Sequence, residues 1–261
     1  MLVSLKAAKG EIPAAFGFSE AQIFRMRAFF YIDGFNLYQA RLKRSRSFRW
    51  LNIVALAQRL TGAGEEVERV NFYTAYVSGR IDPEAVRKQH AYLAALKTLP
   101  EVHIEPGNFI ISDRWVKLVH PAEARPDGYA WPEPYPHFVK ASIPQEKGSD
   151  VKLGVHLVRD SFLNAYDVAY VLTNDTDLTE PIRIASQELG KTVIIVPPIL
   201  PRSPKNPVPS PSLKQVASDV RFIQNEDLEA AQFPDEVAKP RGGTLTRPDS
   251  WNDEWEPPML L

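Results

Sequence analysis

The chain has 261 residues, 44% of them hydrophobic and 24% charged, with a net charge of −1 and no cysteine. Those values belong to a globular chain long enough for one large core or two small ones. They exclude disulfides and thiolate metal sites, and the overall charge gives no sign of a polyanion binder.

Residues 1 to 25 show no strong periodicity, and MLVSLKAAKGEIPAAFGFSE lacks the apolar core of a secretory signal. This stretch reads as a loose extension. No uncharged apolar run approaches the roughly 18 residues of a membrane span, so the expectation is a cytoplasmic protein without a membrane partner; missing cysteine suits a reducing compartment. Residues 28 to 33 read as a buried strand ending in Asp33, after which Gly34 lets the chain turn. NLYQARLKRS is helix-compatible, and Asn52 caps a second helix, IVALAQRL. EVERVNFYTAYV alternates as a second strand. Asp82 and Pro83 open a helix to about Leu99, and VHIEPGNFII is a third strand region interrupted at Pro106–Gly107.

Residues 113 to 140 hold five prolines and many aromatics and read as an irregular insert, with a hairpin at WVKLVH. EKGSDVKLGVHLVRDSFL is a helix, DVAYVLTND a buried strand and LTEPIRIASQEL a helix stopped at Gly190. TVIIVPP is a further strand. A proline-dense segment spans 197–211, SLKQVASDVRFI leads to a last strand, and 233–261, with six acids against three bases, reads as a disordered tail. Strands alternating with helices predict an α/β domain over 26–232 with a mostly parallel sheet covered on both faces.

In such sheets the functional crevice lies at the carboxyl ends of the strands. Two strands end in acids there: the first in Asp33, the later one in LTNDTDL, with Asp175 and Asp177 two apart. Asp150 opens the intervening helix, where free N–H groups favour a carboxylate, and Asn36 lies one helical turn beyond Asp33. Each acid alone reads more readily as a cap or turn residue; their joint occurrence points to a metal site. With no cysteine and no histidine grouped with them, oxygen ligands suit Mg²⁺ or Mn²⁺. The chemistry that such sites often serve is phosphodiester hydrolysis.

At these residues the chain resembles a known family. YIDGFNLY, EKGSDVKLGVHLV and VLTNDTDLTEPIRIASQELGKTVIIV are similar, in order, to the signature blocks of NYN domains, of the PIN-like nuclease superfamily, and closest to their LabA-like branch. SDVRFI is similar to the family's closing segment. The resemblance, over about residues 27–230, implies a PIN-like, Rossmann-like three-layer α/β/α fold with strand order 3-2-1-4-5 and Mg²⁺/Mn²⁺-dependent ribonuclease activity. It implies Asp33, Asp150, Asp175 and Asp177 as catalytic metal ligands, with Asn36 as a catalytic polar partner. Thr173, Asn174 and Lys147 would meet phosphate or metal-bound water. Arg41, Arg44 and Arg46, in a run of five basic residues ending at Arg49, would contact the RNA backbone. Leu178 departs from the aromatic usual in the family, a packing change. In the insert, Trp115, Tyr129, Trp131 and Tyr135 either pack it onto the domain or offer stacking faces for bases.

A catalytically weak NYN-fold RNA-binding or regulatory module is the alternative, and homo-oligomerisation is left open. A nucleotide-sugar transferase using NDTD leaves Asp33 and Asp150 unexplained. An aspartyl phosphatase lacks the second acid two residues after Asp33.

Overall fold

Burial on both faces decides which strand sits in the middle of a parallel sheet. In the computed structural model, which describes residues 25–77, 83–118, 136–199 and 208–252, strand β1 (Met26–Asp33) is buried at every position from Ala28 onward. It runs into the short helix α1 (Gly34–Leu37) and then a π-helical turn, Tyr38–Leu42, closed by Lys43 N–H on Tyr38 O at 2.8 Å. Asn52 caps α2 (Ile53–Leu60) by accepting from the Val54 and Ala55 amides, each at 3.0 Å. Next come β2 (Glu65–Ala75), α3 (Pro83–Leu96), β3 (Val102–Lys117), β4 (Phe138–Lys147), α4 (Ser149–Phe162) and β5 (Val168–Leu172). The chain continues with α5 (Thr179–Arg183), β6 (Thr192–Ile195), α6 (Pro211–Val216), β7 (Asp219–Val220) and α7 (Asn225–Ala230). A hairpin follows, β8 (Glu236–Ala238) and β9 (Thr244–Thr246), and then a 3-10 turn, Asp249–Trp251.

The seven-stranded sheet has the order β4-β3-β2-β1-β5-β6-β7, parallel except for β4. Alternation along β1 divides the core. Ala28, Phe30 and Ile32 face α2, α3 and α7, whereas Phe29 and Tyr31 face α4, α5 and α6. Phe30 stacks on Tyr170 of β5 with centroids 4.4 Å apart and planes 3° from parallel. Each such buried ring contributes about 1.5–3 kcal/mol. The architecture is α/β with helices on both faces of a mostly parallel sheet. Among the described residues no helix is long and apolar enough to cross a membrane.

Three expectations change. The order 3-2-1-4-5 is not what is seen: the fourth strand in the chain is the antiparallel β4 on the far edge, and β5, β6 and β7 follow on the other side of β1. The interruption at Pro106–Gly107 is a change of neighbour within one strand, since β3 pairs with β2 up to Gly107 and with β4 from Asn108. A proline is tolerated there because it lies where an edge has no ladder bond to lose. Residues 113–117 and 138–140 of the expected irregular insert therefore belong to a β-ribbon, on which Trp115 stands 69% exposed. Tyr129, Trp131 and Tyr135 lie outside the described residues, as do Asp82 and residues 1 to 24.

The third change is at the C-terminus. Where the composition predicts a disordered tail from 233, residues 233–252 carry the β8–β9 hairpin and the 3-10 turn Asp249–Trp251. Phe233 N–H donates to Trp50 O at 2.9 Å, and the Trp50 indole N–H donates to Pro234 O at 2.8 Å. Trp251 then packs on Trp50 and Tyr92, with centroids 6.1 and 6.2 Å away. Phe233, Val237 and Trp251 are the buried apolar anchors of this polar stretch. Trp251→Ala is expected to lower stability by about 3 kcal/mol, read in urea unfolding as a lower midpoint at unchanged slope; an unchanged midpoint would mean the tail is not docked.

Candidate functional site

From β1 the chain steps to β2 on one side, while β5 lies against β1 on the other. The gap between the carboxyl ends of β1 and β5 is therefore the switch point of the sheet, where α/β proteins place their ligands. Asp33 ends β1 there and is 5% exposed. Its Oδ1 accepts from the Asn36 amide at 2.9 Å, and its Oδ2 accepts from the Thr173 hydroxyl at 3.3 Å. Thr173 follows β5, is fully buried, and its oxygen also accepts from the Asp175 amide at 3.0 Å. One hydroxyl thus joins the acid at the end of β1 to the acidic loop after β5. Asp175 in turn accepts from the Asp177 amide at 3.0 Å and caps the short turn Thr176–Leu178.

Gly34 is required for space more than for a turn. Its φ is not among the positive glycine values, and a Cβ there would lie 2.6 Å from Tyr73 O and 2.8 Å from the Phe72 ring. The close approach seats α1 on β2 and holds Asp33 and Asn36 at the rim. Asn36 Oδ1 is buried with no hydrogen-bond partner among the described residues. Such an acceptor costs about 1–3 kcal/mol while unsatisfied.

Asp150 sits in the first turn of α4, which the chain enters through Gly148 at φ 90°. Burial raises its pKa first, and the carboxylates of Asp175 and Asp177 raise it further. These three acids therefore share one electrostatic environment. No group of three or more His, Asp or Glu side chains among the described residues is placed to hold a metal ion, so the acids form no ready-made protein cage there. An all-oxygen donor set with an orphaned carboxamide oxygen still suits Mg²⁺, which is held by one or two carboxylates, with waters and ligand phosphates completing the shell.

The remaining residues singled out in the sequence have separate placements. Asn174 Oδ1 accepts from the Ser210 amide at 3.2 Å and ties down the start of α6. The Arg41 guanidinium donates to Ile223 O at 2.9 Å and Asn225 Oδ1 at 2.6 Å, which places it in a structural anchor. Lys147 is exposed at the end of β4, Arg44 is exposed, and Arg46 is half-buried at the start of the turn Arg46–Arg49. One feature escaped the sequence reading. Beside Gly34 a cavity of about 470 Å³ opens between α1, the end of β2 and α3, and Phe35 and Tyr38 line it while 49% and 39% exposed. The available signal was a pair of rings three apart just beyond the catalytic-looking acid.

No family model matches the chain. The chain is 26% identical over 249 residues to the 6-hydroxy-3-succinoylpyridine 3-monooxygenase HspA of Pseudomonas putida (strain DSM 28022 / S16), covering 87% of this chain and 75% of that protein. A crystal structure of a protein of unknown function from Vibrio parahaemolyticus RIMD 2210633 superposes with a TM-score of 0.44 at 16% identity, over 78% of this chain and 96% of that one. The name of the curated relative overturns one expectation. A monooxygenase is an oxidoreductase, so the assignment of the chain as a Mg²⁺/Mn²⁺-dependent ribonuclease, a hydrolase, is withdrawn.

The crowding of Asp150 has a defined pH consequence. A folded-state pKa above the unfolded value means that ionisation is disfavoured by the fold. The penalty is absent below the unfolded value of about 3.9, grows as pH rises through the window between the two values, and is full above it. Asp150→Asn should therefore raise the Tm at pH 7, and the gain over wild type should shrink to nothing on acidification. A gain independent of pH would show that charge is not its source.

Proposed function

We propose that the chain is an NYN-like RNA-binding module whose acidic crevice takes a Mg²⁺ or Mn²⁺ ion, with the ion joining the protein to an RNA phosphate. The observation that carries this reading is the Thr173 hydroxyl, which ties Asp33 to the Asp175 loop across the switch point. Asp33 and Asp175 would hold the ion, and Asp150 and Asp177 add to the negative field that attracts it. The ion would supply positive charge among the four carboxylates. Lys147 and Arg44, both exposed, contribute phosphate contacts away from the ion. We read β4 as an addition to an NYN-like sheet, which leaves β3-β2-β1-β5-β6 in the relation that the family resemblance implies.

Charge gives the reading a clear sign. If RNA met the crevice without a cation, removing a carboxylate would reduce repulsion and tighten binding. With a bridging cation, the same change weakens it. Fluorescence anisotropy with a labelled oligouridine in 2 mM Mn²⁺ (roughly, a saturating level for a weak Mg²⁺-type site) is expected to show at least a tenfold loss for Asp33→Asn and Asp175→Asn, and the same loss for wild type in EDTA. Binding that is unchanged or tighter in the variants rules out the bridge.

The curated relative favours a second reading, since the match runs along most of this chain: the chain oxygenates a pyridine-type compound. Dioxygen uptake on adding 6-hydroxy-3-succinoylpyridine together with a reductant is the expected outcome, and no uptake above the protein-free control rejects it.

A further inference from the structure

We propose that the cavity beside Gly34 is a binding site for a small planar aromatic molecule that carries a negative charge. The inference does not rest on the cation reading, because the cavity is lined from Gly34 outward and none of the four acids of the crevice contributes to it, and its binding test is separate from the oxygen-uptake test of the second reading. At about 470 Å³ it falls in the range of roughly 300–1,000 Å³ typical of small-molecule sites. It opens to solvent past Phe35 and Tyr38, so a ligand can enter it.

The walls select a flat ring. Phe35 and Tyr38 reach it from the residues after β1, Phe72 from β2, Tyr92 from α3 and Trp251 from the C-terminal segment. Several of these rings are fixed in place. The Tyr92 hydroxyl donates to Leu51 O at 2.9 Å, and its ring meets Phe72 at 86° and Trp251 at 71°, both edge to face. Gln89 holds the wall itself: its amide donates to Ala75 O at 2.8 Å and its carbonyl accepts from the Val77 amide at 2.9 Å, pinning the end of β2 to α3. Rings held in this way lose little freedom when a ligand arrives. Phe35 and Tyr38, by contrast, are large rings left in solvent at the cavity, where an aromatic guest would cover them.

The charge of the lining selects the substituent. Among the described residues two cations, Arg49 and Lys88, line the cavity and no acid does. Lys88 is paired with Glu84 at 2.9 Å. Arg49 donates only to backbone carbonyls among the described residues, Leu42 O at 3.0 Å and Lys43 O at 2.7 Å, which orients its guanidinium beside the Tyr38 ring without neutralising it. A carboxylate or sulfonate on the guest would meet that charge in a largely apolar setting, where the attraction is stronger than in water.

The test is calorimetric titration of the full chain with 2-naphthoate, compared with naphthalene-2-methanol, which lacks the charge, and cyclohexanecarboxylate, which lacks the flat ring. The naphthoate is expected to bind at least tenfold more tightly than either. Ala85→Trp, which places a ring inside the cavity from α3, and Phe35→Ala, a change at an exposed position, should each weaken it at least tenfold. Both variants should keep the Mn²⁺ affinity of wild type, so that failure here is distinguishable from failure of the cation reading. Absence of any naphthoate binding, which is also the result if another segment of the chain fills the cavity, would overturn the proposal. So would equal binding of all three probes, or binding unaffected by Ala85→Trp.

Discussion

A single buried hydroxyl organises the carboxyl edge of the sheet. The Thr173 hydroxyl donates to Asp33 and accepts from the Asp175 amide, so the buried carboxylate of Asp33 and the backbone of the loop after β5 are held to one another. A valine of the same shape would remove both bonds, each contributing about 1 kcal/mol. The acid at the end of β1 is therefore fixed before any ligand arrives, and Asp150, Asp175 and Asp177 supply a more adaptable field around it.

The sheet can carry such an edge because its centre is rigid. β1 is covered on both faces and paired in parallel on both sides, and its alternation sends one set of rings into each half of the core. The α4 side adds a polar network: the Tyr31 hydroxyl donates to Asp160 at 2.9 Å, and Arg159 forks onto the same carboxylate at 2.7 and 2.9 Å. Burial and the Asp160 charge push the Tyr31 pKa far up, so that phenol stays neutral and acts as a donor. This network pins α4, and with it Asp150, to the strand that carries Asp33.

What could be read from the residues was whatever short-range pattern encodes. The apolar run into Asp33, the Asn52 cap, the helix stop at Gly190 (φ 66°) and the acids at two strand ends each follow from local chemistry, and all recur in the structure. Long-range features were not legible. β3 changes partner at Pro106–Gly107, and nothing in VHIEPGNFII separates that from a broken strand. Gly34 looks like a turn residue in sequence, yet its reason is the Phe72 ring and the Tyr73 carbonyl pressing on it from β2. Arg41 belonged by charge to a basic run, but its partners, Ile223 and Asn225, come more than 180 residues later. The ordered C-terminal stretch is polar enough to pass for a tail, and only Phe233 and Trp251 betray its docking.

That docking has a consequence for how the protein is made. The Trp50 pocket is closed by Phe233, Pro234 and Trp251, and Arg247 reaches back to Ser47 O at 3.0 Å across 200 residues of chain. During synthesis the first third of the sheet emerges long before these partners do. Until residues 233–252 have emerged, Trp50 and Tyr92 lack the rings that pack on them. Closure of so long a loop comes late in folding, so the incomplete chain exposes aromatic surface that the finished protein covers.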